Sequence, residues 1–377
     1  MQDNSGNEIR LVIGNVEVSG WDNVTADSQI DTPADNWNLS LFRTDGQPLP
    51  DSVHGAAKIQ LFYNNEVILT SIADQIDEAV SRDGYGLQIS GRDLAGQLID
   101  CSVPIFNGRQ ITLEELLNRF VKAGDLAGVI RGVNIQNNSW LKNKVSVEPS
   151  ESLWDAIAKA AQVTGQHVWL ESDGTLSIGD PFANPYQVQE TLRLIRPLDN
   201  SNNVLDLQYS NDVSGVFSQI KVMSQDAEAQ SILSEARAQT QYGFNRLKIV
   251  TLGDVETKAE ADAALNKIIK DNNLAAYGLT ATVDDWLIDG RLWRAGFYVN
   301  VETNALSRAT GKWAVLGRTF NLSRDKGKTT KLNLKRQGDW AQPLINKEKQ
   351  SKASIKKKKK DKAAKNVEKN QTAGAKK

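Results

Sequence analysis

The sequence predicts an α+β fold, predominantly antiparallel β, with two barrel-like domains and a mixed α/β insert between them. Three observations carry that prediction. Short runs in which apolar and polar residues alternate concentrate in two stretches, about 9–101 and 204–335. Alternation of that period puts one face of a strand in a core and the other in solvent. Between the stretches the apolar spacing changes to three and four behind two helix-start signals, at Thr112 and Ser152. The length, 377 residues, fits two or three domains better than one. The expected divisions are 1–103 for the first β domain, 104–196 for the mixed insert, 197–340 for the second β-rich domain and 341–377 for a disordered lysine-rich tail.

In the first stretch, Leu11-Val12-Ile13 and Val16-Glu17-Val18 flank Gly14-Asn15, a two-residue hairpin turn. Trp37, Leu39 and Leu41 alternate with polar partners, Pro48 to Gly55 is a loop, and Ile59, Leu61 and Tyr63 run to the turn Asn64-Asn65, after which Val67 and Leu69 continue. Leu87 and Ile89 mark a strand from Tyr85 to Ser90, which Gly91 is expected to end. Asp93 suits the N-cap of a short helix, where its carboxylate accepts from free backbone N–H groups. Leu94 with Leu98 and Ala95 with Ile99 share a face of that helix, and Pro104 stops it.

In the insert, Thr112-Leu-Glu-Glu115 is a capping box, followed by an apolar face of Leu113, Leu116, Leu117, Phe120 and Val121, with Gly124 as the stop. Strands are expected over Val129–Ile135 and Lys144–Val147. Ser152-Leu-Trp-Asp155 opens a second helix that closes at Gly165, and His167–Leu170 with Thr175–Ile178 makes a hairpin around Asp173-Gly174. A third helix start, Thr257-Lys-Ala-Glu260, precedes Ala261, Ala264, Leu265, Ile268 and Ile269. Around it lie strands at Leu205–Tyr209, Val216–Val222, Leu279–Val283, Phe297–Glu302, Trp313–Phe320 and Lys331–Lys335, with a turn at Asp325-Lys-Gly327. Residues 226–241, rich in Ala, Gln and Ser, read as an exposed excursion of helical composition.

The composition, 40% hydrophobic and 24% charged, is that of a soluble globular protein. No apolar run approaches the ~18 residues of a membrane span, the first residues carry no signal-peptide core, and the single cysteine, Cys101, rules out an internal disulfide framework. The net charge of −1 conceals a division: residues 347–377 hold 13 lysines and three acids, a charge of +10, which leaves −11 for the rest. The unbroken run Lys356, Lys357, Lys358, Lys359 and Lys360 is a candidate contact for nucleic acid or an acidic partner, since lysines that neutralise phosphates release counterions. Without interleaved aromatics it cannot read bases by stacking.

Catalytic chemistry finds little support. Two histidines, His54 and His167, give no zinc-ligand pair, and no nucleophile elbow is present. Gly84-Tyr-Gly86 is followed by a strand rather than a helix, which fails the context test for a dinucleotide loop. Cys101 with His167 is a conceivable nucleophile pair, but a free cysteine at the end of a turn reads as core. Asp284, Asp285 and Asp289 around Trp286 could form a glycosidase pair or a calcium site, although Asp289-Gly290 is an ordinary turn signal. No catalytic, cofactor or metal residue is therefore assigned.

Three motifs carry a resemblance. The run Gly91-Arg-Asp-Leu-Ala-Gly-Gln-Leu-Ile-Asp-Cys-Ser102, the strand Gly290-Arg-Leu-Trp-Arg-Ala-Gly-Phe-Tyr-Val-Asn-Val301 and the closing strand Lys331-Leu-Asn-Leu-Lys-Arg336 resemble those of the Mu-type contractile phage tail baseplate hub family. The resemblance reaches to about Trp340 and excludes the lysine tail. It implies a non-enzymatic structural protein of the virion. In that role the chain forms a homotrimeric ring joining the tail tube to the central spike, with wedge components and the tape-measure protein as further neighbours, and DNA crosses the ring without sequence-specific binding. An acidic channel wall would let DNA slide rather than stick. The alternatives are the hub of a related phage-derived injection or secretion device, or a tail-borne cell-wall hydrolase.

Overall fold

Turn chemistry sets the first registers. In the computed structural model, which describes residues 9–44, 49–104, 110–136, 144–148, 150–162, 165–224, 233–237, 245–252 and 258–336, Gly14-Asn15 joins strands β1 (Ile9–Ile13) and β2 (Val16–Ser19). Gly14 takes φ +59°, and a Cβ there would lie 2.8 Å from the carbonyl of Ser52. β3 (Asn23–Gln29) and β4 (Asn36–Arg43) follow. β5 (Lys58–Tyr63) turns through Asn64 and Asn65, both at positive φ, into β6 (Glu66–Ile72), the conformation a tight hairpin requires. β7 (Gln75–Val80) and β8 (Tyr85–Arg92) form the next hairpin. Gly91 does not end β8 but pairs with Trp37 inside it; a Cβ would come within 2.8 Å of the Ile72 carbonyl and 3.0 Å of the Trp37 ring.

The insert opens with α1 (Ala95–Asp100), then β9 (Gln110–Thr112) and α2 (Leu113–Leu116), which widens into a π turn at Leu117–Val121. The predicted capping box forms: Thr112 Oγ1 accepts from the Glu115 N–H at 3.1 Å while the Glu115 carboxylate accepts from the Thr112 N–H at 3.0 Å. β10 (Gly132–Ile135) starts three residues later than expected, because Val129 is held in a turn by Leu126. β11 (Lys144–Ser146) and α3 (Leu153–Gln162) come next, with Ser152 Oγ accepting from the Asp155 N–H. The hairpin of β12 (His167–Leu170) and β13 (Thr175–Gly179) completes the insert.

Beyond it lie β14 (Leu192–Leu194), β15 (Val204–Asn211), β16 (Gln219–Ser224), β17 (Leu233–Arg237), β18 (Leu247–Leu252), α4 (Lys258–Ala275), β19 (Tyr277–Asp284), β20 (Leu287–Ile288), β21 (Arg291–Leu292), β22 (Tyr298–Thr303), β23 (Gly311–Ser323) and β24 (Gly327–Arg336). β17 corrects the helical reading of 226–241: residues 233–237 pair antiparallel with β16, where a sheet edge supplies partners that the local composition does not advertise. The remainder of that excursion, Thr257 of the third helix start, and the tail with Lys356–Lys360 lie outside the described residues.

The architecture is predominantly antiparallel β with few helices. One sheet of ten strands runs β15-β19-β24-β23-β3-β4-β8-β7, with β22 beside β23 and β14 beside β22. It joins the two strand-rich stretches directly: β3 pairs with β23 from Asn23↔Ser323 to Gln29↔Gly317. A four-stranded sheet, β2-β1-β5-β6, packs on it. Their common core takes Leu11, Leu39 and Leu61 from one stretch and Leu279, Val315 and Leu332 from the other. Trp37, Trp286, Trp293 and Trp313 are each at most 2% exposed, and the Trp286 ring stacks on Phe320 at 4.8 Å and leans on Tyr63 at 5.1 Å. The insert has its own core around Leu98, Leu116, Ile157 and Ile178. No helix among the described residues is long and apolar enough to cross a membrane.

Candidate functional site

Charged side chains gather where the sheet passes the chain to the insert. The Arg92 guanidinium, at the end of β8, donates to both oxygens of Asp100, at 3.0 and 2.7 Å, and to Asp74 at 3.0 Å. A planar fork suits this double grip, and it clamps α1 to the strand before it. The two carboxylates, above all Asp100, raise the pKa of Arg92, and Arg92 lowers that of Asp100. Asp93 stands one residue before the N-cap of α1, which is Leu94, rather than at it: its Oδ1 accepts from the Ala95 N–H at 2.9 Å, and its own N–H donates to the Asp35 carbonyl.

Asp93 and Asp35 are both 7% exposed. Asp35 Oδ2 accepts from the Gln29 N–H at 2.8 Å. Burial, aided by the nearby charge of Asp93, pushes the Asp35 carboxyl up to about 8, and burial raises Asp93 to about 6. Arg318, 3% exposed on β23, donates to the Ala26 carbonyl of β3 at 2.8 Å and the Ile68 carbonyl of β6 at 3.1 Å, and lies over the Phe320 ring at 3.9 Å. Burial lowers it to about 10, so it stays charged at neutral pH. Trp37 Nε1 donates to Ser71 Oγ at 2.9 Å, and Ser71 donates to the Arg92 carbonyl. Arg318 thus ties the long sheet to the four-stranded one, and Ser71 ties both to the start of the insert. The cluster is enclosed and largely bonded to backbone, which suits a fastening between parts rather than a reacting centre.

Sequence reasoning found Asp93 but missed Asp35, Ser71 and Arg318. The one local signal was Arg318 within the apolar run Trp313–Phe320, at a position where alternation points inward.

The acid cluster does not converge on a common point. Asp285, at φ +63°, accepts from the Tyr63 hydroxyl at 3.4 Å and pairs with Lys328 at 3.6 Å. Asp289, at φ +51°, accepts from the Tyr186 hydroxyl at 3.0 Å and the Gln189 N–H at 2.8 Å. Each carboxylate fixes a turn to a different neighbour, and Trp286 between them is core. Cys101 follows α1 and packs against the insert's core, while His167 begins β12. Gly84-Tyr-Gly86 forms the β7–β8 turn and the start of β8. A groove of about 840 Å³ opens beside that hairpin, lined by Val18, Leu41, Phe42, Leu49, Val80 and Tyr85 among others.

Comparison with known proteins covers the same parts. Residues 8–93 match the N-terminal domain of Mu phage baseplate assembly protein GpP-like proteins, and residues 95–180 match the second domain of baseplate hub protein gp44-like proteins. Residues 271–338 match a tail protein C-terminal domain. The chain is 23% identical to baseplate hub protein gp44 of Escherichia phage Mu over 341 residues, 84% of each chain. A tail protein from Neisseria meningitidis MC58 superposes with a TM-score of 0.74 at 28% identity, over 89% of this chain and 99% of that one. The 43 kDa tail protein of prophage MuSo2 from Shewanella oneidensis does so with 0.73 at 18% identity, over 87% and 98%.

Proposed function

Because the chain belongs to the Mu-type contractile phage tail baseplate hub family, and so is a hub or tail protein of a phage or related contractile device, we propose that it is the non-enzymatic hub of the baseplate. In this reading three copies form a ring that joins the tail tube to the central spike, with wedge and tape-measure proteins as further neighbours. The ring's opening is part of the path taken by DNA, and the protein is carried in the virion. The first β domain, the insert and the second β domain, bounded near 103 and 196, are its building blocks, and the run Lys356–Lys360 meets nucleic acid or an acidic partner.

The observation that carries this reading is the match to phage Mu gp44 across 84% of both chains. A sheet that fuses the two strand-rich stretches supports it, because a plate of ten strands resists bending where a force-bearing collar needs stiffness. Asp285 and Asp289, already spent on structural bonds, also favour a mechanical role over a hydrolytic one. Light scattering of the purified full chain tests it. A mass of three chains, with rings visible by negative-stain microscopy, is expected. A particle of one chain at every concentration reached would overturn the ring.

A further inference from the structure

A guanidinium taken out of water needs acceptors for its N–H groups and a charge to balance its own. Arg318 meets the first need in part. Its two terminal nitrogens donate to the Ala26 and Ile68 carbonyls, but its buried Nε–H has no acceptor in the protein. The second need is not met by the chain. Among the described residues no carboxylate forms an ion pair with Arg318; Asp35 and Asp27 favour its charged form only from beyond that distance. Burial also keeps Asp35 largely protonated at neutral pH.

Arg318 lines a cavity of about 100 Å³ where three parts of the chain meet. β3 contributes Ser28, the β12–β13 turn Ser172, and the segment between β21 and β22 Arg294. Neither hydroxyl bonds another group among the described residues. Arg294 is exposed and gives one nitrogen, Nη2, to Glu66, which leaves Nε and Nη1 unused. The two guanidinium groups feel each other: burial chiefly, and the charge of Arg294 in addition, lower the pKa of Arg318. One acid, Glu171, stands on the wall. Its Oε1 accepts from Trp169 Nε1 at 2.8 Å and Ser177 Oγ at 3.1 Å, and it pairs with neither arginine.

Two cations and two hydroxyls with unused donors around one small space suit an ion that bears several oxygens. The cavity exceeds the ~30 Å³ share of one water molecule and falls short of the ~300 Å³ at which pockets for organic ligands begin, so a nucleotide or a sugar is too large. A carboxylate would serve two of the four donor groups, whereas a tetrahedral ion offers an oxygen to each. We propose that this cavity binds a free tetrahedral oxyanion, phosphate or sulfate, between Arg318 and Arg294, with the hydroxyls of Ser28 and Ser172 as further donors. The bound ion balances the buried charge and ties the insert's hairpin to β3 and β23. The site does not depend on the chain's place in a baseplate.

The test follows the melting temperature of the full chain, dialysed into a chloride buffer, as sulfate or phosphate replaces chloride at constant ionic strength. A saturable rise of a few degrees, complete by about 20 mM, is expected. Sulfate also stabilises proteins by exclusion from their surface, but that effect grows without saturating. Arg294→Gln should weaken the half-saturating concentration about tenfold, and Glu66→Gln, which frees Arg294 from its competitor, should tighten it severalfold. Both positions are exposed, so these variants report on the site even if Arg318→Met, which should abolish the response, fails to fold. Acetate should act at least about tenfold more weakly than sulfate. Isothermal titration with sodium phosphate should return one site per chain. A rise that never saturates, or one that neither Arg294→Gln nor Glu66→Gln alters, would overturn the site. Acetate equal to sulfate would overturn the assignment to a tetrahedral ion.

Discussion

The long sheet and the insert are held together by opposite strategies. The insert's core draws on residues from Leu94 to Ile178, contiguous in the chain, and the short bridge between Ser102 and Ser152 closes it. The long sheet's core joins Ile9 to Leu334, and its central pairing, β3 with β23, links positions about three hundred residues apart. Local contacts cost little loop-closure entropy, whereas distant ones are gained only when most of the chain is already in place. The insert can therefore hold its shape while neighbours change, and the sheet stands or falls as a unit. In the proposed hub, that difference would separate an adaptable attachment from a stiff plate.

Trp286→Ala should do the most damage. It removes a ring packed between Phe320 and Tyr63, and its Nε1 bond to the Asn321 carbonyl, at a position with 0% exposure. A loss of about 3–5 kcal/mol in chemical denaturation is expected, and hydrogen exchange should quicken in β3 and β4 as well as in β19 to β24. Ile157→Ala, equally buried in α3, should cost about 2–5 kcal/mol, with the faster exchange confined to 95–180. Matching exchange maps for the two variants would erase the contrast between the regions.

Asp35→Asn sharpens the comparison at the fastening between them. The Asp35 carboxyl titrates near 8 in the folded chain against about 3.8 unfolded. Between those values the folded state holds a proton that the unfolded state has released. Its contribution to stability is thus complete below about pH 4 and is lost as pH rises through about 8. A neutral amide keeps an acceptor for the Gln29 N–H and removes that slope. The variant should gain melting temperature relative to wild type between pH 5 and 9, by a few degrees at the alkaline end. A constant difference across that range would show that Asp35 is ionised throughout. The smallest effect is expected from Thr112→Ala, which leaves the first turn of α2 uncapped and should cost about 1 kcal/mol, confined to the insert in the same exchange experiment.

Much of the fold is legible in local chemistry. The turns at Gly14-Asn15 and Asn64-Asn65, the boxes at Thr112 and Ser152 and the stop at Gly165 depend on residues a few positions apart, and the sequence displays them together. Strands β3 and β7 were not readable. β3, Asn-Val-Thr-Ala-Asp-Ser-Gln, has only Val24 and Ala26 to face the core, and β7 is largely exposed, so alternation is faint or absent. β18 has apolar residues on both faces, which hides its period. The fastening was legible only at Asp93, because Asp35, Ser71 and Arg318 come from separate strands and a buried charge leaves no mark beyond an odd residue in an apolar run.

By itself the sequence determined the β-rich class, the helix starts and the kinship read from Gly91–Ser102 and Gly290–Val301, because propensity, capping and turn geometry act over a few residues. The tertiary structure alone decided that the two strand-rich stretches share one sheet, and which charges lie at its centre. Strand pairing has no sequence range: any edge can find any other, and only the whole set of buried faces selects β3 as the partner of β23.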